Sequence, residues 1–439
     1  MELFRRYLEE AIGPGNAAAA LSALGQEPST AIRLNPFKAP SGVSHSTEEA
    51  PIPWNPLGRI LAERPNFTLD PLFHAGAYYV QDSSAQFVGY AARQFIDKRR
   101  PLRVLDLCAA PGGKTTDLAA SLRQVCGDGF LLVANEVMRQ RAAVLSDNVS
   151  RWGDPCVAVT SADPAAFASL EGFFDIIVAD VPCSGEGMFR KDAEALRQWS
   201  PDNVALCAAR QKRIVSDAWP ALAPGGILIY STCTFNRLEN DDNVEWISQT
   251  LDAEVIDIDA DFPGLIRTRY GVSLVPGFVP GEGQYCAALR KRGGAEYRVR
   301  KPAGTYDRSF RDLFSSDMLF TRKGETVVAI PEAICAPAEA VSFLRPLSAG
   351  TAVGAIKGRD LVPHPDLALS IALRKGAFPA FEADRDLALR FLHRDTFTID
   401  APRGLVLIAY DGLPLGFVKN LGNRCNNLLP KDRRIIMDI

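Results

Sequence analysis

Asp180, Cys183 and Cys233 are the side chains of this sequence best suited to covalent chemistry. A carboxyl group can hold or pass a proton, and a thiol, once ionised, can add to an electrophilic carbon. The first two lie in the stretch Phe174 to Lys191. Ile176, Ile177, Val178 and Ala179 form a short, β-branched apolar run that reads as a buried strand. Asp180 ends that run, and Pro182, Cys183, Gly185 and Gly187 follow. A plain strand-to-helix connection needs one or two turn residues, whereas this one carries a carboxylate and a thiol beside a rigid proline and two permissive glycines. Taken alone, a capped loop with a chance cysteine accounts for the stretch equally well.

The elements that must position these groups run from Leu102 onward. Leu102 to Leu107 reads as a strand entering a glycine turn at Gly112 and Gly113, with a helix under way by Asp117 to Leu122. Such a turn presents unpaired backbone amides, which suit a phosphate or a carboxylate. Gly113-Lys114-Thr115 matches the end of a nucleoside-triphosphate loop, but the first glycine of that template falls on Cys108. The dinucleotide pattern Gly-x-Gly-x-x-Gly is also missing. A second strand, Phe130 to Asn135, ends at Glu136, where an acid is well placed for ribose hydroxyls. Arg139 to Trp152 reads as a helix with Ala142, Leu145 and Val149 on one face, and Cys156 to Thr160 as a strand leading to Asp163. Apolar spacing from Val204 to Leu222 is helical, Pro224-Gly225-Gly226 reads as a turn, and Ile227 to Ser231 is a fifth strand followed by Cys233. Successive strands that each end in a polar or glycine-rich turn are the pattern of a nucleoside site at the carboxyl edge of a parallel sheet. Neighbouring strands end side by side there, so Cys183 and Cys233 can approach each other.

Composition bounds the rest. With 439 residues, 47% hydrophobic and 23% charged, the chain is long enough for two or three globular domains. Nine cysteines without regular spacing and only four histidines argue against a disulfide framework and a structural zinc site, so no metal is expected. Apart from Cys183 and Cys233, the cysteines, Cys108 and Cys126 among them, read as small buried hydrophobes. Met1 to Glu10 has neither a signal-peptide core nor a cleavage site, and no stretch looks membrane-spanning, so the expectation is a cytoplasmic protein. Residues before about 100 read as a small irregular domain, with a short strand at Ala31 to Asn35, a loop with short strands from Ala39 to Asn66, and a strand at Ala77 to Val80. From Gln81 and Asp82, read as a helix cap, a helix runs to about Arg93 or Ile96. After Leu289 a basic run to Lys301 looks like a linker, and Thr326 to Ile330, Gly404 to Tyr410 and Leu415 to Val418 carry strand signals of small β-rich modules.

Asp106 to Thr115, Asp180 to Gly187 and Tyr230 to Phe235 together resemble the nucleotide, catalytic-acid and nucleophile motifs of the Sun/NSUN-type RNA cytosine-5 methyltransferases, and the resemblance spans about Tyr78 to Arg290. Gly416 to Lys419 and Leu428 to Lys431 resemble the end of the PUA-like tail of RsmF-like bacterial ribosomal RNA enzymes, although Gly422 to Asn427 is less basic than that tail. The resemblance implies an α/β fold: a Rossmann-like S-adenosylmethionine-dependent methyltransferase sheet with a small N-terminal α+β domain and C-terminal β-rich PUA-like modules. The expected boundaries are 1–100 for an N-terminal RNA-side domain, 101–292 for the methyltransferase domain, 293–350 for a linker and small β-rich module, and 351–439 for a PUA-like RNA-binding module. It implies S-adenosylmethionine as methyl donor, with Cys108, Ala109, Ala110, Pro111, Gly112, Gly113 and Lys114 under its methionine end. Glu136 would hold the ribose, Asp163 would lie near adenine, and Arg141 and Asp180 would add contacts.

The implied reaction is methylation of carbon 5 of a cytidine, in 16S ribosomal RNA by the family's preference, with Cys233 as nucleophile at carbon 6 and Cys183 assisting release. Asp180 would stabilise the adduct, and Lys114, close by on the first strand, would help position the base. The alternatives are a transfer RNA cytosine-5 methyltransferase and a non-catalytic RNA-binding assembly factor. The expected partner is RNA, with no membrane and no oligomer implied. Lys98, Arg99, Arg100, Arg190, Lys191, Arg210, Lys212, Arg213 and the Arg290 to Lys301 run are candidates for its phosphates.

Overall fold

The apolar runs Leu102–Asp106, Phe130–Asn135, Val157–Thr160, Phe174–Asp180 and Leu222–Thr232 pair as five parallel strands in a computed structural model that describes residues 2–38, 49–97, 101–304, 306–358 and 360–439. Such strands lack polar alternation because helices cover both faces of the sheet. Their spatial order is Val157, Phe130, Leu102, Phe174, Leu222, followed by the antiparallel strand Gln284–Lys291. The order reverses between Leu102–Asp106 and Phe174–Asp180, which opens a crevice at the carboxyl ends of these two strands. The helix Arg139–Trp152 buries Ala142, Leu145, Val149 and Trp152 against the sheet, as its spacing predicts.

Several local expectations change. Pro224-Gly225-Gly226 is not a turn between elements but part of the eleven-residue strand Leu222–Thr232, whose register shifts on its neighbour there. The preceding helix accordingly stops at Ala218, and Trp219–Ala221 is a 3-10 turn. The helix expected after Asp82 begins as a 3-10 turn at Ser84–Gln86 and becomes α-helical at Phe87–Arg93. Lys114 is not on the first strand: the helix Gly113–Cys126 starts immediately after Gly112 and includes it. Ser348–Ala349 adds an unforeseen antiparallel strand to the sheet edge at Val157–Thr160, too short to show a periodic signal. Within the expected 39–66 loop, 39–48 lie outside the described residues, as do Lys98, Arg99 and Arg100.

Ahead of the central sheet, the helices Glu2–Ile12 and Pro14–Ala23 precede a four-stranded antiparallel sheet in the order Glu49–Ile52, Asn55–Leu61, Thr30–Leu34, Tyr78–Val80. Beyond it, Met318–Lys323, Thr326–Pro331, Thr351–Lys357 and Asp360–Pro363 make one antiparallel sheet. Ala380–Glu382, Gly404–Tyr410, Leu413–Asn420 and Cys425–Asn427 make another. These two sheets share a core in which Leu407 and Phe417 join Phe314 and Phe320. No helix among the described residues is long and apolar enough to cross a membrane.

The N-terminal sheet is fastened to the central one by polar side chains that satisfy helix ends. Asn35 donates to the carbonyls of Gly76 (3.0 Å) and Trp152 (3.2 Å), and Lys38 to those of Ala75 (2.8 Å) and Arg151 (2.5 Å). Both thereby serve the last carbonyls of the helices Pro71–Ala75 and Arg139–Trp152, which have no partners within their helices. Gly76 closes the first of these helices at φ +74°, and a Cβ there would collide with the Arg151 carbonyl oxygen. Gly76→Ala therefore combines left-handed strain with a backbone collision, and urea unfolding should report a stability loss of about 1–3 kcal/mol or more. An unchanged midpoint would mean the junction relaxes freely.

Candidate active site

The crevice between Leu102–Asp106 and Phe174–Asp180 gathers the groups singled out from the sequence. Asp180 stands opposite Ser231 in the parallel register. Its Oδ1 accepts from the Ser231 hydroxyl at 2.8 Å and from Gln284 Nε2 at 2.9 Å, and its Oδ2 lies 2.8 Å from Lys114 Nζ. Burial disfavours the Lys114 ammonium, but the Asp180 carboxylate outweighs it and the pKa of Lys114 ends above its ordinary value. Strand pairing thus supplies Ser231 and Gln284, and the helix that follows the glycine turn supplies Lys114.

Cys183 and Cys233 meet with their sulfur atoms 3.2 Å apart, and both are free thiols. Their loops are locked by two buried carboxylates. Glu186, 1% exposed, accepts from the backbone amides of Phe235 (2.7 Å) and Asn236 (3.1 Å), from Asn236 Nδ2 (2.9 Å) and from Trp199 Nε1 (2.9 Å). Glu239, fully buried, accepts from the Ser184 amide (3.0 Å), Gln211 Nε2 (2.7 Å) and Asn236 Nδ2 (2.8 Å). Gly187 donates its amide to the Cys233 carbonyl at 2.8 Å, and a Cβ there would lie 2.8 Å from that same oxygen. Only a glycine lets the two loops approach so closely. The hydrogen bond with Cys233, and then burial, push the Cys183 thiol well up from its ordinary pKa.

The glycine turn is tied down from outside by its carbonyls. Ala110 accepts from Arg141 (3.0 Å), Pro111 from Tyr79 (3.1 Å) and Asn148 (2.7 Å), and Gly113 from Arg33 (3.2 Å). Ala109 is buried, while Cys108 is half-buried rather than wholly enclosed. Cys126 is likewise half-buried, whereas Cys156, Cys207, Cys286, Cys335 and Cys425 are in the interior as expected. Gly112, at φ +112°, caps the helix without a side-chain acceptor, so the first helical amides are left for a ligand. The Glu136 carboxylate, 4% exposed, is held by the Met138 amide (2.9 Å) and by Arg141 (3.1 Å). Arg141 therefore orients both the turn and Glu136. Asp163 is exposed and caps the 3-10 turn Pro164–Leu170 through the Ala165 amide at 3.0 Å.

Asp106 lies at the floor of the crevice, with one oxygen accepting from Thr115 at 2.7 Å and the other buried without a hydrogen-bond partner. An uncapped helix start, a buried acid with an unused oxygen and a fixed carboxylate at the second strand end form a donor and acceptor set that fits the amino-acid and ribose ends of S-adenosylmethionine. Among the described residues no group of three or more side chains could hold a metal ion.

Sequence reasoning missed several residues that hold this geometry. Arg33 is fully buried: Nε donates to Gln81 (2.9 Å), Nη2 reaches Gly113 O and Thr116 Oγ1 (2.5 Å), and its guanidinium lies 4.6 Å from the centre of the Trp152 ring. Asn135 ties Leu107, just past the strand Leu102–Asp106, to Thr160 and Ala162 at the end of the strand Val157–Thr160. An arginine inside the apolar strand Thr30–Leu34 was the available signal for the first. Two phosphate candidates also fail. Lys291 is 7% exposed and donates to the carbonyls of Trp219 (3.0 Å) and Leu222 (2.8 Å), because the strand it ends is buried there. Arg190 is engaged by Glu282 (2.6 Å) and the Gly281 carbonyl (2.6 Å). Lys191, 3.6 Å from both Asp82 and Glu282, stays a third exposed.

Arg33→Met should raise the dissociation constant for S-adenosylmethionine about tenfold in calorimetry, with Arg33→Lys intermediate, since a single ammonium cannot span both acceptors. Equal affinities in all three proteins would remove Arg33 from the support of the turn. Burial lifts Asp106 from 3.8 to about 7, with Asp180 adding to the rise and the Thr115 hydrogen bond opposing it. The folded state thus keeps a proton that the unfolded state has lost, so this contribution to stability is full below about pH 4 and falls until about pH 7. Relative to wild type, Asp106→Asn should flatten the fall in unfolding free energy across that window. Parallel curves would refute the assignment.

Comparison with known proteins bears directly on this site. The profile for 16S rRNA methyltransferase RsmB/F matches residues 94–290, the N-terminal domain of 16S rRNA methyltransferase RsmF matches 2–83, and the methyltransferase RsmF PUA domain matches 378–435. Ribosomal RNA small subunit methyltransferase F of Cronobacter sakazakii is 37% identical over 75% of this chain and 69% of its own. Its counterpart in Salmonella agona is 33% identical over 87% and 84%. A methyltransferase homolog protein from Pyrococcus horikoshii superposes with a TM-score of 0.55 at 25% identity, covering 66% of this chain and 95% of that one. With the crevice, the turn and the thiol loops inside the matched segments, the chain belongs to the 16S rRNA methyltransferase RsmB/F family and is an S-adenosylmethionine-dependent RNA methyltransferase.

Proposed function

We propose that this protein methylates carbon 5 of a cytidine in 16S ribosomal RNA through a covalent adduct between Cys233 and carbon 6. The observation that carries the reading is the pair of free thiols 3.2 Å apart beside a carboxylate fixed by three donors. S-adenosylmethionine would supply an electrophilic methyl group, its methyl–sulfonium bond breaking to leave S-adenosylhomocysteine, and Cys108 to Lys114, Glu136, Arg141, Asp163 and Asp180 would hold it. Carbon 5 of cytosine is too weak a nucleophile to take that methyl unaided. The Cys233 thiolate adds to carbon 6, and the electrons of the 5,6 double bond become available at carbon 5 for the new carbon–carbon bond. Ser231, Gln284 and Lys114 orient Asp180 so that a remaining lone pair accepts a hydrogen bond from the exocyclic amine and supports the adduct.

Once methylated, carbon 5 must lose its proton as the carbon–sulfur bond breaks and Cys233 leaves as thiolate. Cys183 is adjacent and serves that release. Its sulfur, 3.2 Å from that of Cys233, takes the carbon-5 proton as the thiolate and gives it up to solvent after Cys233 has left. We assign 1–100 to an RNA-side domain and 101–292 to catalysis; the expected division between 293–350 and 351–439 cuts through the antiparallel sheet that runs from Met318 to Pro363, so we assign the linking role to the segment up to Pro363 and the PUA-like RNA-binding role to the chain that follows it. The PUA-domain and N-terminal-domain matches support these roles.

The test uses labelled S-adenosylmethionine, ribosomal and transfer RNA from cells lacking the gene, and wild type, Cys233→Ala and Cys183→Ala side by side. We expect 5-methylcytidine in 16S RNA from wild type, at least a thousandfold less from Cys233→Ala, and a protein–RNA adduct on denaturing gels from Cys183→Ala. An adduct from Cys233→Ala instead would exchange the two cysteines. Product only in transfer RNA would overturn the substrate.

A further inference from the structure

We propose that a cavity beside the glycine turn holds an unpaired nucleotide of the substrate RNA other than the target cytidine. It measures about 330 Å³ and is lined by Arg64, Phe67, Phe73, Tyr79, Asn148 and Arg151, with Pro111 of the turn at its wall. That volume is within the range of about 300–1,000 Å³ typical of small-ligand sites.

Charge selects the occupant. None of the lining residues is acidic, although the whole chain carries a net charge of −3. Arg64, exposed, lies 5.4 Å from the centre of the Phe67 ring and has no carboxylate partner among the described residues. Arg151 lies 5.0 Å from the Phe73 ring centre, and Asn148 (2.7 Å) and Asp147 (3.0 Å) hold one nitrogen of its guanidinium. Its Nε is buried with no hydrogen-bond partner. Two guanidinium groups on aromatic walls match a nucleotide's mixed chemistry: flat base against the rings, phosphate against the cations. An acidic peptide would satisfy the cations but not the stacked aromatic surface.

The place of the cavity gives it a role. Tyr79 and Asn148 line it and also donate to the Pro111 carbonyl, at 3.1 and 2.7 Å. A nucleotide here would press on the support of the glycine turn, so RNA docking and the cofactor site share a wall. The proposal rests on RNA being the substrate, and the experiment keeps the two apart.

Arg64 is on the surface, so its substitution spares the core. Wild type, Arg64→Lys and Arg64→Glu are titrated with a 16S RNA fragment that wild type methylates, over a range of salt concentrations, and with S-adenosylmethionine alone. We expect Arg64→Glu to bind the fragment about tenfold more weakly with a shallower salt slope, Arg64→Lys to lie near wild type, and cofactor affinity alone to stay unchanged. In parallel, 4-thiouridine in the fragment should crosslink to the wild-type peptide containing Phe73 and Tyr79. Wild-type RNA affinity and salt slope in Arg64→Glu, or crosslinks confined to other peptides, would overturn the pocket. Loss of ribosomal protein binding with RNA binding intact would assign it to a protein segment and overturn it equally. If no RNA is methylated by wild type, the proposed function fails, while binding and crosslinking of unmodified RNA still decide the pocket.

Discussion

The three-donor clamp on Asp180 is the interaction on which the rest of the site depends. A carboxylate at the end of a buried strand is costly unless its oxygens are paired. Ser231, Gln284 and Lys114 pair them from three different elements: a parallel neighbour, the antiparallel strand beyond it, and the helix after the glycine turn. The carboxylate therefore has its orientation only when the sheet is fully assembled in the order that brings those elements together. Ser231 adjoins the residues that carry Cys233, so the same pairing that fixes the acid also sets the height at which the second thiol leaves the sheet.

Around this clamp lie two further layers of support. Glu186 and Glu239 replace a conventional turn between the thiol loops with a set of hydrogen bonds that leaves no slack between Cys183 and Cys233. A hydrogen-bonded network of this kind is rigid because every member is satisfied, and breaking one member leaves a buried charge exposed to its apolar surroundings. The N-terminal segment adds the other layer. Arg33, Asn35 and Lys38, six residues of chain from first to last, bind the start of one helix and the ends of two others. The N-terminal sheet is thus part of the glycine turn's scaffold. This explains why the catalytic strands alone do not describe the working unit.

Much of this was legible beforehand. Apolar runs marked the five parallel strands, and acids and glycines marked their carboxyl ends, because buried strands and tight turns constrain residue type strongly. The helix Arg139–Trp152 was legible from its period to both ends. Illegible were features whose cause lies far along the chain. Pro224-Gly225-Gly226 reads as a break by local propensity, yet the strand Phe174–Asp180 pairs with its neighbour before the segment, at Leu222, and again after it, from Ile227, and so carries the strand through. Lys291 looks like one more cation in a basic run, and only the packing of Trp219 and Leu222 beneath it turns it inward.

The sequence by itself determined which chemistry was available: a carboxylate, two thiols, a lysine and a glycine turn, each at a strand end, because residue type sets reactivity and local pattern sets strand and turn. Tertiary structure alone decided how these groups face one another. The 3.2 Å between the sulfur atoms, the three donors on Asp180 and the unused oxygen of buried Asp106 come from residues fifty or more positions apart, or from burial that no local window records. Strand order is a global property of the fold, and distances across it are fixed only when the whole sheet has closed.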